Sequence, residues 1–186
     1  MKRKIILSVI IFLSVSFSAI AQKQKIKFHS IEMAGIAGGE SQVKPVFQTI
    51  NGLGFSRWFS GVGIGIDYYR YKTLPLFIDV RRFFGKENKG FLYADLGYNF
   101  PLKNKPGKEE GYYDTYHFKG GIYTDIGIGF KTKFIKRSSL LFSMGHSYKE
   151  LQNEIGIIPL CTECQPYFYY YKFGFGRIVF KAGVEF

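Results

Sequence analysis

The 186-residue chain is poor in the residues from which disulfide scaffolds and metal sites are built. Two cysteines, Cys161 and Cys164, are too few for a disulfide framework, and no second Cys-x-x-Cys completes a four-ligand metal set. The three histidines, His29, His117 and His146, are scattered, so no metal and no cofactor is assigned. Acids are scarce: 14 Asp and Glu stand against 26 Lys and Arg, for a net charge of +12. Beyond residue 21 no apolar run reaches the length of a membrane helix, and no long stretch shows a 3.6-residue period. Helical bundles are thereby excluded. Tryptophan occurs once, yet there are 20 Phe, 14 Tyr and 22 Gly, an all-β composition.

The first 21 residues stand apart. Lys2, Arg3 and Lys4 precede the apolar run Ile5 to Phe17, which ends in Ser18-Ala19-Ile20-Ala21. A basic start, an apolar core and an Ala-x-Ala site predict a secretory signal peptide over 1–21, cleaved after Ala21, and a single mature domain over 22–186. Cleavage lowers the net charge to about +9. Export removes nucleic acid as a partner and leaves anionic lipid or lipopolysaccharide as counterparts for the basic excess.

Downstream, alternating runs recur with turn chemistry between them, and eight strands are predicted. They cover roughly 28–38, 46–55, 58–70, 74–84, 91–100, 118–131, 139–149 and a last strand ending at Phe186. In the third, Val62, Ile64, Ile66 and Tyr68 alternate with Gly61, Gly63, Gly65 and Asp67. In the fourth, Leu76, Ile78 and Val80 oppose Phe77, Asp79 and Arg81. The second, fourth and sixth connections are short, while the fifth (PLKNKPGKEEGYYDTYH) and the seventh, about 150–166, are long. Alternation of short turns with long loops is the connectivity of an outer-membrane barrel, with both termini on the periplasmic side.

Alternation alone does not say which face meets which solvent. The polar face carries Asp67, Asp79, Asp95 and Asp125 on four successive strands, with Arg81, Lys131 and many glycines. Small residues and compensating charges suit the narrow interior of an eight-stranded barrel, so a mutually neutralising charge network is expected there. Aromatics gather at both strand ends, with Trp58, Phe59, Phe83, Phe84, Phe130 and Phe134 near the short turns. Tyr68, Tyr69, Tyr71, Tyr98, Tyr112, Tyr113, Tyr116, Tyr167, Tyr169, Tyr170 and Tyr171 lie near the long loops. Two interfacial girdles are expected of a membrane barrel.

The last strand, RIVFKAGVEF, resembles the terminal β-signal of Gram-negative outer-membrane barrels: alternating apolar residues ending in an aromatic. The mature chain as a whole resembles the small OmpA/OmpX-like class. That resemblance implies an all-β, eight-stranded antiparallel up-and-down transmembrane β-barrel in the outer membrane. It also implies that Ile178, Phe180, Ala182, Val184 and Phe186 face lipid and are read by the barrel-assembly machinery. Arg177, Lys181 and Glu185 would then face the filled lumen or its rim.

Chemistry is thinly represented. Lipid A deacylase barrels use a His-x-Ser pair with a later Glu. Here His146 and Ser147 are adjacent and point to opposite faces, and the residue two beyond His146 is Tyr148. His146 is thus a weak catalytic candidate, and no enzyme activity is expected. Cys161-Thr162-Glu163-Cys164 reads as redox-active, as half a metal site or as a local disulfide; the last suits an exported loop with no βαβ pattern around it. Bulky Phe77, Tyr93 and Tyr123 on the inward face argue against an open pore. The expected function is an integral outer-membrane barrel, structural or binding through its loops. Its partners would be membrane lipid and lipopolysaccharide, the assembly machinery, and an extracellular glycan or protein. Alternatives are a lipid A-modifying enzyme and a soluble periplasmic ligand-binding barrel.

Overall fold

Alternation of apolar and polar residues becomes nine antiparallel strands in the computed structural model, which describes residues 26–40, 42–102, 113–135, 138–157 and 167–186. They are β1 (Lys27–Gly38), β2 (Val43–Phe55), β3 (Trp58–Asp67), β4 (Thr73–Phe84) and β5 (Gly90–Pro101). These are followed by β6 (Tyr113–Lys119), β7 (Gly121–Ile135), β8 (Ser138–Ile157) and β9 (Tyr167–Glu185). The predicted signal segment 1–21, Cys161, Cys164 and most of the predicted fifth loop lie outside the described residues.

The sheet closes on itself. Each strand pairs with its neighbour, and β9 pairs with both β8 and β1, making a ring of eight wall positions. β6 and β7 share one position. Both pair with β8, with a one-residue register slip at Gly120 between Lys119↔Gln152 and Tyr123↔Lys149. Pairing can be followed once around the wall through Phe28, Leu53, Ser60, Val80, Ala94, Ile126, His146 and Ile178. It returns to β1 at Gly38, ten residues further along. Ten residues of stagger over eight strands, at ~3.3 Å per residue and ~4.8 Å between strands, set a tilt of about 41°. Closure leaves no unpaired edge in the ring, a requirement wherever backbone meets hydrocarbon.

The faces divide as in an inverted globule. Outward positions carry Val62, Ile64, Ile78, Leu92, Leu96, Ile126, Ile128, Phe142, Ile178 and Phe180, all exposed. Inward positions are buried and hold both an aromatic cluster (Phe59, Phe77, Phe91, Tyr93 and Tyr123) and charged residues. Glycines make room for these rings. A Cβ at Gly63 would overlap the ring of Phe77, and one at Gly129 the ring of Phe91.

Three expectations are corrected. The seventh strand does not stop at Lys149: β8 continues to Ile157, paired with β9 from Phe175 to Tyr167. Its alternation is masked because Lys149, Glu150 and Leu151 are buried in succession. The side-chain-free pair Gly120–Gly121 lets the neighbouring wall close over outward-facing Glu150, whose Cβ lies 2.8 Å from where a Gly121 Cβ would sit. Second, the third strand ends at Asp67 rather than Arg70, and residues 68–72 form a loop with Arg70 in the left-handed region (φ 59°). Third, Phe59, Phe83 and Tyr69 do not belong to the outer girdles. Phe59 and Tyr69 are buried inward, and Phe83 packs on the interior cluster, with rings 5.7 Å from Phe91.

Candidate functional site

Two features stand out: the charge-filled lumen and the ribbon that rises from it. Five carboxylates (Asp67, Asp79, Asp95, Asp125 and Glu185) point into the barrel and meet Arg81, Lys131, Lys149, Arg177 and Lys181. Charges withdrawn from water are tolerable only when matched and hydrogen-bonded, so the pairing decides whether such an interior can exist. All six sequence-predicted network residues point inward, but they fall into three groups rather than one.

At the long-loop end Asp67 is the hub. It pairs with Arg177, accepts from Lys149 (Nζ to Oδ1, 3.2 Å) and from the Tyr69 backbone N–H (2.8 Å). Arg177 also donates to Ser147 Oγ (2.7 Å) and lies 5.4 Å from the ring of Tyr69, which caps the group. Lys149 donates to the Tyr71 carbonyl (3.1 Å) and Thr73 Oγ1 (3.3 Å).

Midway, Lys181 donates to Asp125 (2.8 Å) and to Gln48 Oε1 (3.1 Å), with its ammonium 4.5 Å from the Tyr93 ring centroid. Tyr93 donates to Asp125 as well (2.8 Å), and Gln48 donates to the hydroxyl of Tyr123 (2.9 Å). Asp79, Asp95 and Asp125 are register neighbours across β4, β5 and β7. Arg81 satisfies Asp79 with contacts of 2.9–3.0 Å from Nε and Nη2. Asp95 has no hydrogen-bond partner among the described residues, and Lys181 approaches it at 3.9 Å. At the short-turn end Lys131 (2.6 Å) and His29 (2.9 Å) share Oε1 of Glu185.

Among the described residues the inward side chains pack closely. Between the upper and middle groups, Gln48, Tyr123, Asp125, Ser147 and Arg177 border a cavity of about 10 Å³, on the order of one water. The short-turn mouth opens into a vestibule of about 310 Å³ lined by His29, Trp58, Phe59, Lys131 and Glu185 among others.

Above the ring, β8 and β9 run eight residues past the Lys149↔Phe175 pair, about 26 Å along the strand, flanked on one side by β6. Its outer face carries ion pairs beside Phe168 and Tyr170: Lys119 bridges to Glu154 (2.8 Å) and Lys172 to Glu150 (2.8 Å). The ion pair with Glu154 raises the Lys119 ammonium above its ordinary range. On the inner face Tyr171, Phe173 and Phe175 form a ladder with centroids 6.4 Å apart, meeting Tyr69 at 6.2 Å. Phe168, Tyr169 and Tyr170 at the upper end are more than half exposed.

The remaining predicted residues are separated from these features. His146 faces outward, whereas Ser147 is buried against Arg177, so the two form no catalytic pair. Ile178, Phe180, Ala182 and Phe186 are exposed on the outer wall, with Val184 partly covered between them. Phe186 is fixed in the ladder, its N–H donating to the Ser30 carbonyl (2.9 Å).

No family model matches the chain, and no curated protein matches its sequence. Among solved structures, it is similar to the outer membrane protein AlkL in lipid bilayers, at 9% identity over 87% of both chains with a TM-score of 0.48. A second likeness, over 97% of this chain and 94% of the other, is to the translocator domain of the autotransporter NalP from Neisseria meningitidis, at 8% identity and a TM-score of 0.25. The assignment as a closed, up-and-down β-barrel of eight wall positions rests on this chain's own register.

Proposed function

We propose that the protein is an integral outer-membrane barrel whose interior is a structural plug and whose work is done at the long-loop end. The carrying observation is the inversion of faces: outward positions are dominated by aliphatic and aromatic residues, interrupted on β1 and β2 by Glu32, which accepts from Thr49 Oγ1 at 2.7 Å, while paired charges fill the inside. The apolar exterior, broken on β1 and β2 by Glu32 and Asn51, still far exceeds the few hundred Å² that a soluble monomer exposes. At ~2.5 Å of axial rise per tilted residue, ten residues of each strand span ~25 Å, the height of a lipid-facing band. Polarity returns at Lys119, Glu150 and Lys172, just beyond that band on the ribbon's outer face.

A filled lumen supports a role in surface binding or adhesion over conduction. The ribbon, with Phe168, Tyr169 and Tyr170 exposed at its tip, is the surface offered to an extracellular glycan or protein. Lipopolysaccharide would surround the wall beneath it. Fractionation with heat-modifiable gel mobility tests the placement, and recovery in the soluble fraction would overturn it. Reconstituted protein should be silent in single-channel recordings. Replacing 151–173 by a short turn should leave the barrel folded and abolish retention on immobilised glycans or surface proteins; unchanged retention would move the binding role elsewhere.

A further inference from the structure

The short-turn end carries a lopsided charge that the lumen does not absorb. Lys27, Arg57, Arg82, Lys86, Lys89 and Lys133 are exposed there, and Glu87 is the one exposed acid among the described residues of this end. Glu87 is itself taken up: Lys89 hydrogen-bonds it and, with Lys133, holds its carboxyl below the usual range.

Arg82 differs from the rest. It lies on the outer face of β4, two residues before that strand ends at Phe84, directly paired with Trp58. Its guanidinium sits 5.3 Å from the Trp58 ring centroid. Arg57 is held beside it, its carbonyl accepting from the Phe83 N–H at 2.7 Å. Phe55 and Phe84 flank the pair on the same outer surface. An amphipathic indole prefers the depth of the headgroups, and an arginine within an apolar collar must direct its donors there. Guanidinium donors match phosphate oxygens in bidentate geometry.

We propose that Trp58, Arg82 and Arg57 form a binding site for the phosphodiester of an anionic phospholipid in the leaflet that meets the short-turn end. The proposal rests on the membrane placement above and names a lipid class for one point on the wall. Arg82 and Arg57 donate to the phosphate oxygens, Trp58 lies against the glycerol region, and Phe55 and Phe84 contact the acyl chains. Lys86 and Lys89 on the following turn raise the local concentration of anionic lipid.

Trp58 is the chain's one tryptophan, so its fluorescence reports this site alone. Reconstitution in phosphatidylcholine–phosphatidylglycerol mixtures, with either lipid brominated, measures which lipid contacts it. The expected result is about five-fold preferential quenching by brominated phosphatidylglycerol. Preference should fall toward unity in Arg57→Gln/Arg82→Gln and in high salt. Heat-modifiable mobility of the variant checks that it has folded, and Arg82→Lys, which keeps charge without the planar fork, should retain part of the preference. Equal quenching of the wild-type protein by the two lipids would overturn the proposal while leaving the membrane placement intact. Absence of quenching by both would overturn the placement, and the proposal with it.

Discussion

Replacing Lys181 by methionine should be among the most damaging single changes available in the wall. The side chain is nearly isosteric and the site fully walled, so lost packing is minor. What disappears is the ammonium that bonds Asp125 and Gln48, faces Tyr93 and approaches Asp95. Asp95 and Asp125 are then adjacent buried carboxylates with no cation between them; Arg81 is engaged by Asp79. Breaking a buried pair on one side costs about 3–5 kcal/mol. With a urea dependence of ~2 kcal/mol per molar, the unfolding midpoint should fall by about 1.5–2.5 M. Trp58 fluorescence in detergent micelles or vesicles reads the transition. Restoring balance with Lys181→Met/Asp125→Asn should recover about 1–3 kcal/mol of that loss as a coupling energy. A midpoint within 0.3 M of wild type (roughly 0.6 kcal/mol at that slope), with the double variant additive, would refute the neutralising interior.

Asp95→Asn should behave oppositely, holding or raising the midpoint. Asp95 accepts no hydrogen bond from the described residues and sits between two other aspartates with Lys181 at 3.9 Å, so urea melting should show no loss; a fall of more than ~1 kcal/mol would mean that the attraction of Lys181 outweighs the repulsion of Asp79 and Asp125. Gly129→Leu should lower stability by at least 1–3 kcal/mol, because the added side chain meets Phe91 and the Phe142 carbonyl; a neutral midpoint would mean a looser plug than described. Phe186→Ala keeps the backbone bond to Ser30 and removes an exposed ring, so refolding in vitro should change little while assembly in cells drops, seen as less heat-modifiable protein per cell; equal yields would contradict an assembly role for the terminal ring.

Much of the wall was legible because period-two alternation is a local property. Val62, Ile64 and Ile66 against Gly61, Gly63 and Gly65 declare two faces without any knowledge of neighbours. The same reading placed Asp67, Asp79, Arg81, Asp95, Asp125 and Lys131 inward. Partner choice was not legible. Asp67 pairs with Lys149 and Arg177, 82 and 110 positions away, and those distances close only through the stagger of the whole ring. Lys149, Gln48 and the hydroxyls of Tyr93 and Tyr123 therefore escaped the predicted network. The ribbon was missed for a different reason. Lys149, Glu150 and Leu151 break alternation because a bulge on the opposite strand, at Gly120, changes what covers them. Tyr69 and Phe59 were misread as girdle aromatics because a position near a strand end does not reveal whether a ring turns outward or folds over the plug.

The central claim is that the odd and even faces of each strand meet different solvents. Spin labels placed singly along β4 and β5, with Cys161 and Cys164 replaced by serine, measure this residue by residue in reconstituted bilayers. Labels at Leu76, Ile78, Leu92 and Leu96 should be relaxed strongly by oxygen and weakly by an aqueous nickel complex. Labels flanking the band, at Lys86 and Lys72, should reverse that order. Nickel accessibility at Ile78 and Leu96 equal to that at Lys86 would contradict a lipid-facing wall.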